Sequence, residues 1–268
     1  MKKIIIALSL LATMATPSLA DVKNGLDHLN KREFEQASKS FITAFEKGEA
    51  DGAFYMARML ELGMGVKPDM KSAIALYIAG SEKGSASAKN RLGLLHIEGV
   101  GVLQDYAQGS KLICASAEAG DVNGLFNCGT LYDQGKGVEK DPKKAISYYQ
   151  KAVAKGHIAA KNLLAVALFQ GKHVNKDPVK ALKLFEDTAN LGNPVGLYSI
   201  AQAYLTGNGV KKDLVKAHAY FNLAASRQHP AAAGARIELE KSLKPADVLK
   251  AQQIAREWRP SKVKSDKK

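Results

Sequence analysis

The sequence predicts an all-α fold: a one-dimensional solenoid of antiparallel helix pairs. Three observations lead there. The chain repeats itself every 36 residues, each repeat carries two stretches with the apolar period of a helix, and glycines punctuate the repeats at fixed places. Written in segments that begin at Glu49, Ser85, Asp121, His157 and Asn193, the register holds with no insertion or deletion. One column reads Gly63, Gly99, Gly135, Gly171, Gly207. A second, three residues on, reads Val66, Val102, Val138, Val174, Val210, and a third reads Asp69, Asp105, Asp141, Asp177, Asp213.

Each repeat divides into a helix A and a helix B. In the third, Gly124, Cys128, Leu131 and Tyr132 share one face of helix A. Gly129 lies beside that stripe, and its counterparts Ala57, Gly93, Ala165 and Ala201 are also small, so a neighbouring helix can approach closely. Gly135 and Gly137 end helix A in conformations that a Cβ hinders. Val138 plugs the turn, Asp141 caps helix B, and Pro142 suits a first helical position that has no use for an N–H. Ala145, Tyr148, Tyr149 and Ala152 form the inner face of helix B, which stops at Gly156.

No single helix pair can bury its apolar face alone, so neighbouring repeats must stack and the ends need caps. Residues 21–48 read as an incomplete first repeat, with Phe34, Ala37, Phe41, Ala44 and Phe45 on one helical face. After the fifth repeat Gln228 stands where a stop glycine is due, and helices over 230–243 and 245–258 follow. Leu249, Ile254, Ala255 and Trp258 are expected to cover the last face, so 229–259 is a C-terminal cap. Lys244 gives the final helix no side-chain cap.

Residues 1–20 read as a signal peptide: Lys2 and Lys3, an apolar run over 4–11, then Ser18-Leu19-Ala20 in small-x-small order. The run is well short of the ~20 residues that span a bilayer, and no later segment is apolar enough to do so. The expected mature chain begins at Asp21, holds 248 residues and works in the periplasm or is secreted. Loss of the leader lysines takes the formal charge from +13 to +11. A basic exported protein is not expected to meet nucleic acid. Anionic envelope polymers, lipid headgroups or an acidic protein are the candidates for long-range attraction, while many lysines simply solvate helix faces. The tail 260–268, with Lys262, Lys264, Lys267 and Lys268, has almost nothing to bury and is expected to be disordered.

The string from Leu131 through Gly135, Gly137, Asp141 and Pro142 to Ala145, with Tyr149, Ala152 and Gly156, resembles a Sel1-like repeat, a relative of the tetratricopeptide repeat. The resemblance recurs five times over residues 49–228. The segment 217–225, with Arg256-Glu257-Trp258, resembles the closing segment of bacterial members. Such resemblance implies a right-handed α-solenoid superhelix whose A helices line the concave surface. It also implies adaptor work: complex assembly, regulation of envelope signalling, control of cell-wall enzymes, or host contact. His173, in place of the second turn glycine, and Gly109, in place of a helix B alanine, depart from the pattern.

The resemblance bears on the only two cysteines as well. Cysteine-rich members bridge the equivalents of Ala117 and Leu125, and Cys114 with Cys128 would sit one turn deeper on the same hairpin. Closing such a loop is worth roughly 3 kcal/mol. Cys128 equally fits as a buried thiol, since its column otherwise holds Met56, Leu92, Leu164 and Ile200.

Catalytic signatures are sparse. There is no His-Glu-x-x-His, Gly-x-Ser-x-Gly, Walker loop or Cys-x-x-Cys. The recurrent Gly-x-Gly pairs are turn chemistry, and the Ser-x-x-Lys pairs at Ser261/Lys264 and Ser265/Lys268 lie in the tail. His96 shares a column with Leu60, Tyr132, Leu168 and Tyr204 and reads as a half-buried core residue. No catalytic, cofactor or metal residue is identified. An envelope enzyme acting on peptidoglycan or β-lactams is the competing class. The favoured activity is capture of a protein or extended peptide in the concave groove. One column there holds Phe54, Asn90, Phe126, Asn162 and Tyr198, and its neighbour includes Arg58 and Gln202. Asn amides can pair with a peptide backbone and aromatics can anchor side chains. Equally, the aromatics can pack between adjacent A helices.

Overall fold

The computed structural model describes residues 20–261. The expected signal peptide and the tail beyond Ser261 lie outside the described residues. Among those residues there are fourteen α-helices and no strand. The chain forms two compact units that divide after Gln104, within the second repeat.

The first unit holds α1 (Ala20–Asn30), α2 (Phe34–Glu46), α3 (Asp51–Leu62), α4 (Met70–Glu82) and α5 (Ala86–Glu98), each packed on the next. The second holds α6 (Tyr106–Glu118), α7 (Val122–Gln134), α8 (Pro142–Ala154), α9 (Ile158–Gln170), α10 (Pro178–Asn190), α11 (Pro194–Thr206), α12 (Leu214–Ser226), α13 (Ala232–Glu240) and α14 (Pro245–Glu257). There too, contact runs from each helix to its successor through α12, which then carries both α13 and α14. This is the α-solenoid of helix pairs that the repeat predicts.

The caps behave as their chemistry requires. Asp141 accepts the Lys144 N–H at 3.0 Å, and Asp69, Asp105, Asp177 and Asp213 do the same for their helices. Each A helix of the five repeats ends on a glycine in the left-handed region, Gly135 at φ 71° for example. At Gly137 a second constraint applies: a Cβ would lie 2.0 Å from the Tyr106 carbonyl oxygen. His173 and Gln228 replace glycines yet keep the turn, at φ 60° and 62°.

Small residues set the helix spacing. A Cβ on Gly129 would meet the Tyr149 ring at 2.8 Å. Phe41 and Met59 anchor the core of the first unit. Leu164, Phe185, Leu197 and Ile200 fill a larger cluster in the second, which Ala255 and Trp258 close. The C-terminal cap differs from expectation in one respect: Leu249 is 63% exposed. The face of α14 that turns inward carries Ala251 instead, because α14 packs on the alanine-rich α12 and a small residue permits the closer approach.

Cys114 and Cys128 are joined in a disulfide between α6 and α7, Cα atoms 5.1 Å apart. The buried-thiol alternative is therefore set aside. Cys128 nonetheless keeps the burial of its aliphatic column, with no exposed surface.

Candidate partner-binding surface

The column expected to offer open amides is largely closed. Asn90 and Asn162 are each only 7% exposed. In the second unit Asn162 receives the Thr188 hydroxyl at 2.8 Å and donates to Asn193 Oδ1 at 3.1 Å. Asn193 is itself the cap of α11, accepting from Val195 and Gly196. The expectation of an Asn ladder free to read a peptide backbone is thus corrected. In the second unit the cap of the next repeat and a threonine of its own repeat take up the Asn162 amide.

The aromatics of the column meet the same neighbour. Phe126 stacks on His157 with ring centroids 4.4 Å apart, and Tyr198 stacks on His229 at 4.1 Å. The side chain 31 residues ahead is the partner in all three cases: amide with amide, aromatic with imidazole. His157 also caps α9 through Nδ1, which accepts the Ala160 N–H at 3.1 Å. Burial holds its pKa below the usual imidazole value despite the opposing charge of Asp121, which keeps that acceptor available. Phe126 and Tyr198 are half-buried, so each presents only part of its ring. Gln202 donates to the Tyr198 hydroxyl at 3.2 Å.

In the first unit Phe54 is half-buried among Tyr55 and Tyr77. Arg58 does not stand free. It donates to Glu61 at 2.8 Å, and the same carboxylate takes the Tyr77 hydroxyl at 2.5 Å and the Arg91 guanidinium. Burial alone would raise the Glu61 pKa, but the hydrogen bonds from Arg91 and Tyr77 and the charges of Arg91 and Arg58 hold it below the usual carboxylate range. Tyr77 is pushed up by burial and by the adjacent carboxylate. A carboxylate held ionised near neutral pH by three donors is a structural hub. Sequence columns contain Arg58 and Glu61 but give no signal for Tyr77 or Arg91, which arrive from other helices.

One cleft of the second unit, of about 140 Å³, lies between α8 and α9. Ile146, Tyr149, Leu163 and Val166 make it apolar, with Asp133 and Lys172 among its polar lining residues. Leu163 is 43% exposed. Neither Leu163 nor this cleft follows from the columns, because Leu163 is the one large aliphatic at a position that otherwise reads Tyr55, Arg91, Asn127 and Ser199. Among the described residues no three His, Cys, Asp or Glu side chains come together as a metal site, and no helix is long and apolar enough to cross a membrane.

Within each unit, helices packed each on its successor define an α-solenoid of helical repeats. The Sel1 repeat family model matches residues 50–85, 86–121, 122–157, 158–193 and 194–229, and the chain belongs to the Sel1 repeat family. Proteins of this family are generally interaction scaffolds. Among solved structures, the chain is similar to a protective antigen of uropathogenic Escherichia coli with an SLR fold (TM-score 0.78, 26% identity, covering 93% of this chain and 58% of that one). It thus spans little more than half the length of that antigen. It is also similar to a Sel1 repeat protein of Oxalobacter formigenes (TM-score 0.67, 23% identity, 79% of this chain and 87% of that one), which bears on the fold alone. No curated protein matches the chain in sequence.

Proposed function

We propose that the chain is exported, matures at Asp21, and serves outside the cytoplasm as an adaptor that holds a partner protein, with regulation of an envelope complex as its role. The observation that carries the adaptor reading is the cleft beside Leu163. It has room for one apolar side chain, a polar rim to orient the flanking backbone, and a mouth on helix α9. Such pockets with a few convergent polar groups are where short partner segments gain affinity. The similarity to a bacterial antigen agrees with a location outside the cytoplasm and keeps host contact within this reading. Export is tested by fractionation and by the N-terminus of the recovered protein. The binding face is tested by Leu163→Glu in tagged protein used to capture partners from envelope extract. Loss of specific captured protein, with the melting temperature retained, supports the reading. Undiminished capture removes this cleft from it.

A second reading, binding of an anionic envelope polymer, has one observation in its favour. In the fifth repeat Lys211, Lys212 and Lys216 gather around Tyr204, and the place 72 residues earlier holds Lys140 and Lys144 around Tyr132. Binding through these lysines is expected to weaken steeply with salt, and salt-independent binding counts against it.

A further inference from the structure

Glu49 occupies the place where later repeats carry a capping side chain: Ser85, Asp121, His157 and Asn193. It caps nothing in its own helix, and α3 starts without a side-chain cap. Its carboxylate turns instead to the beginning of α1. Glu49 is 5% exposed. Oε2 accepts the Val22 N–H at 3.3 Å, and Oε1 has no partner among the described residues. The adjacent cation, Lys47, is held by Asp21 at 2.7 Å. A buried carboxylate served by one long, uncharged hydrogen bond is a poor arrangement unless something cationic joins it.

The chain itself can supply that cation. Ser18-Leu19-Ala20 ends one bond before Asp21. Hydrolysis there by a signal peptidase adds one water: the C–N bond breaks, Ala20 leaves with a new carboxylate, and the nitrogen of Asp21 becomes an α-ammonium. This nitrogen precedes by one residue the Val22 N–H that already points at Glu49. We infer that Glu49 is a built receptor for the processed N-terminus of this chain, and that leader removal completes the first helix pair with a buried ion pair. Beside it, Asp21 and Lys47 form the reciprocal pair. An uncleaved chain offers only a neutral amide at that place. The inference rests on the export reading above.

The first measurement is the N-terminal mass of protein exported from its full-length precursor. A start at Asp21 supports both readings; a processed start at another residue overturns the ion pair alone, and an unprocessed start overturns both. The second uses chains released from a fusion so that they begin at Asp21, or at Gly-Ser ahead of Asp21, each with Glu49 or Glu49→Gln. With Glu49 present, the extension is expected to lower the melting temperature by a few degrees, and in E49Q to have little effect. Equal effects in the two backgrounds overturn the pair while leaving export intact. A third readout, acylation of the α-amine in wild-type protein, holds even if E49Q folds poorly. The amine is expected to react severalfold more slowly in native protein than in urea, and equal rates overturn the pair.

Discussion

Removal of the Cys114–Cys128 bridge is the sharpest test of how this solenoid holds together. Within its unit α6 packs chiefly on α7, and its buried side is thin: Gly109, Ser110, Ile113, Ser116 and Ala117, with Ile113 the only large apolar residue. By contrast α12 buries Phe221 and Leu223 as well as its alanines. The bridge spans 14 residues, and closing a loop of that size is worth about 3 kcal/mol. At roughly 1.4 kcal/mol per tenfold, that corresponds to about a hundredfold in the equilibrium for opening α6. Because stacked repeats couple mainly to their neighbours, the loss should fall on α6 and α7 and fade along the chain. The variant to use is Cys114→Ala with Cys128→Val, since Cys128 is fully buried in an otherwise aliphatic column and a serine hydroxyl there would add its own penalty. Amide hydrogen exchange, resolved by helix, is the assay. Protection in α6 is expected to fall about a hundredfold while α12 hardly changes. Unaltered α6 protection, or an equal loss in α12, would refute the account of the bridge as a local staple for a weakly packed helix.

Other outcomes follow from single features. Asn162→Ala leaves the Thr188 hydroxyl the Phe185 carbonyl as acceptor but removes a bond to the α11 cap, so the urea midpoint should fall by the equivalent of about 1 kcal/mol; an unchanged midpoint would mean the amide is not structural. His173→Gly and Gln228→Gly each relieve a side chain held at positive φ, with a net gain of up to about 1 kcal/mol after the entropy cost of glycine. Destabilisation by either would show that the native side chain makes a compensating contact. Glu61 has a folded pKa below its unfolded value, so its contribution is present above about pH 4.3 and is lost as pH falls through the depressed folded value. Acid titration of Glu61→Gln should lack that component of the transition, and an identical acid limb in both proteins would contradict the hub.

The helix pairs, caps and turns are legible in the sequence because each rests on a local rule repeated five times: Asp at an N-cap, Gly at a left-handed stop, an apolar face at helical spacing. Features that join different helices are not. A helical wheel of one repeat puts Asn90 and Asn162 on the outer face of helix A, and nothing in that wheel shows Asn193 of the next repeat settling over Asn162. The signal does exist at a separation of 31 residues, where Phe126 matches His157, Asn162 matches Asn193 and Tyr198 matches His229. Arg58 stands in a column of helix A, and Glu61, three residues on, pairs with it in the structure. Tyr77 and Arg91 join them from 16 and 30 residues away with no pattern to announce it. Leu249 shows a related gap: amphipathicity defines the stripes of α14, but only packing on α12 decides which stripe turns inward.

The matched columns give the junctions of the second unit a parity. Excising the fourth repeat, residues 157–192, would set Phe126 against Asn193, a ring over an amide that has lost its hydrogen-bonding mate. Excising the fourth and fifth together, residues 157–228, would set Phe126 against His229 and restore a stacked pair of the kind already present. Shortening by two modules is thus chemically quieter than shortening by one, and a lineage that gains or sheds modules in twos would leave its joints intact.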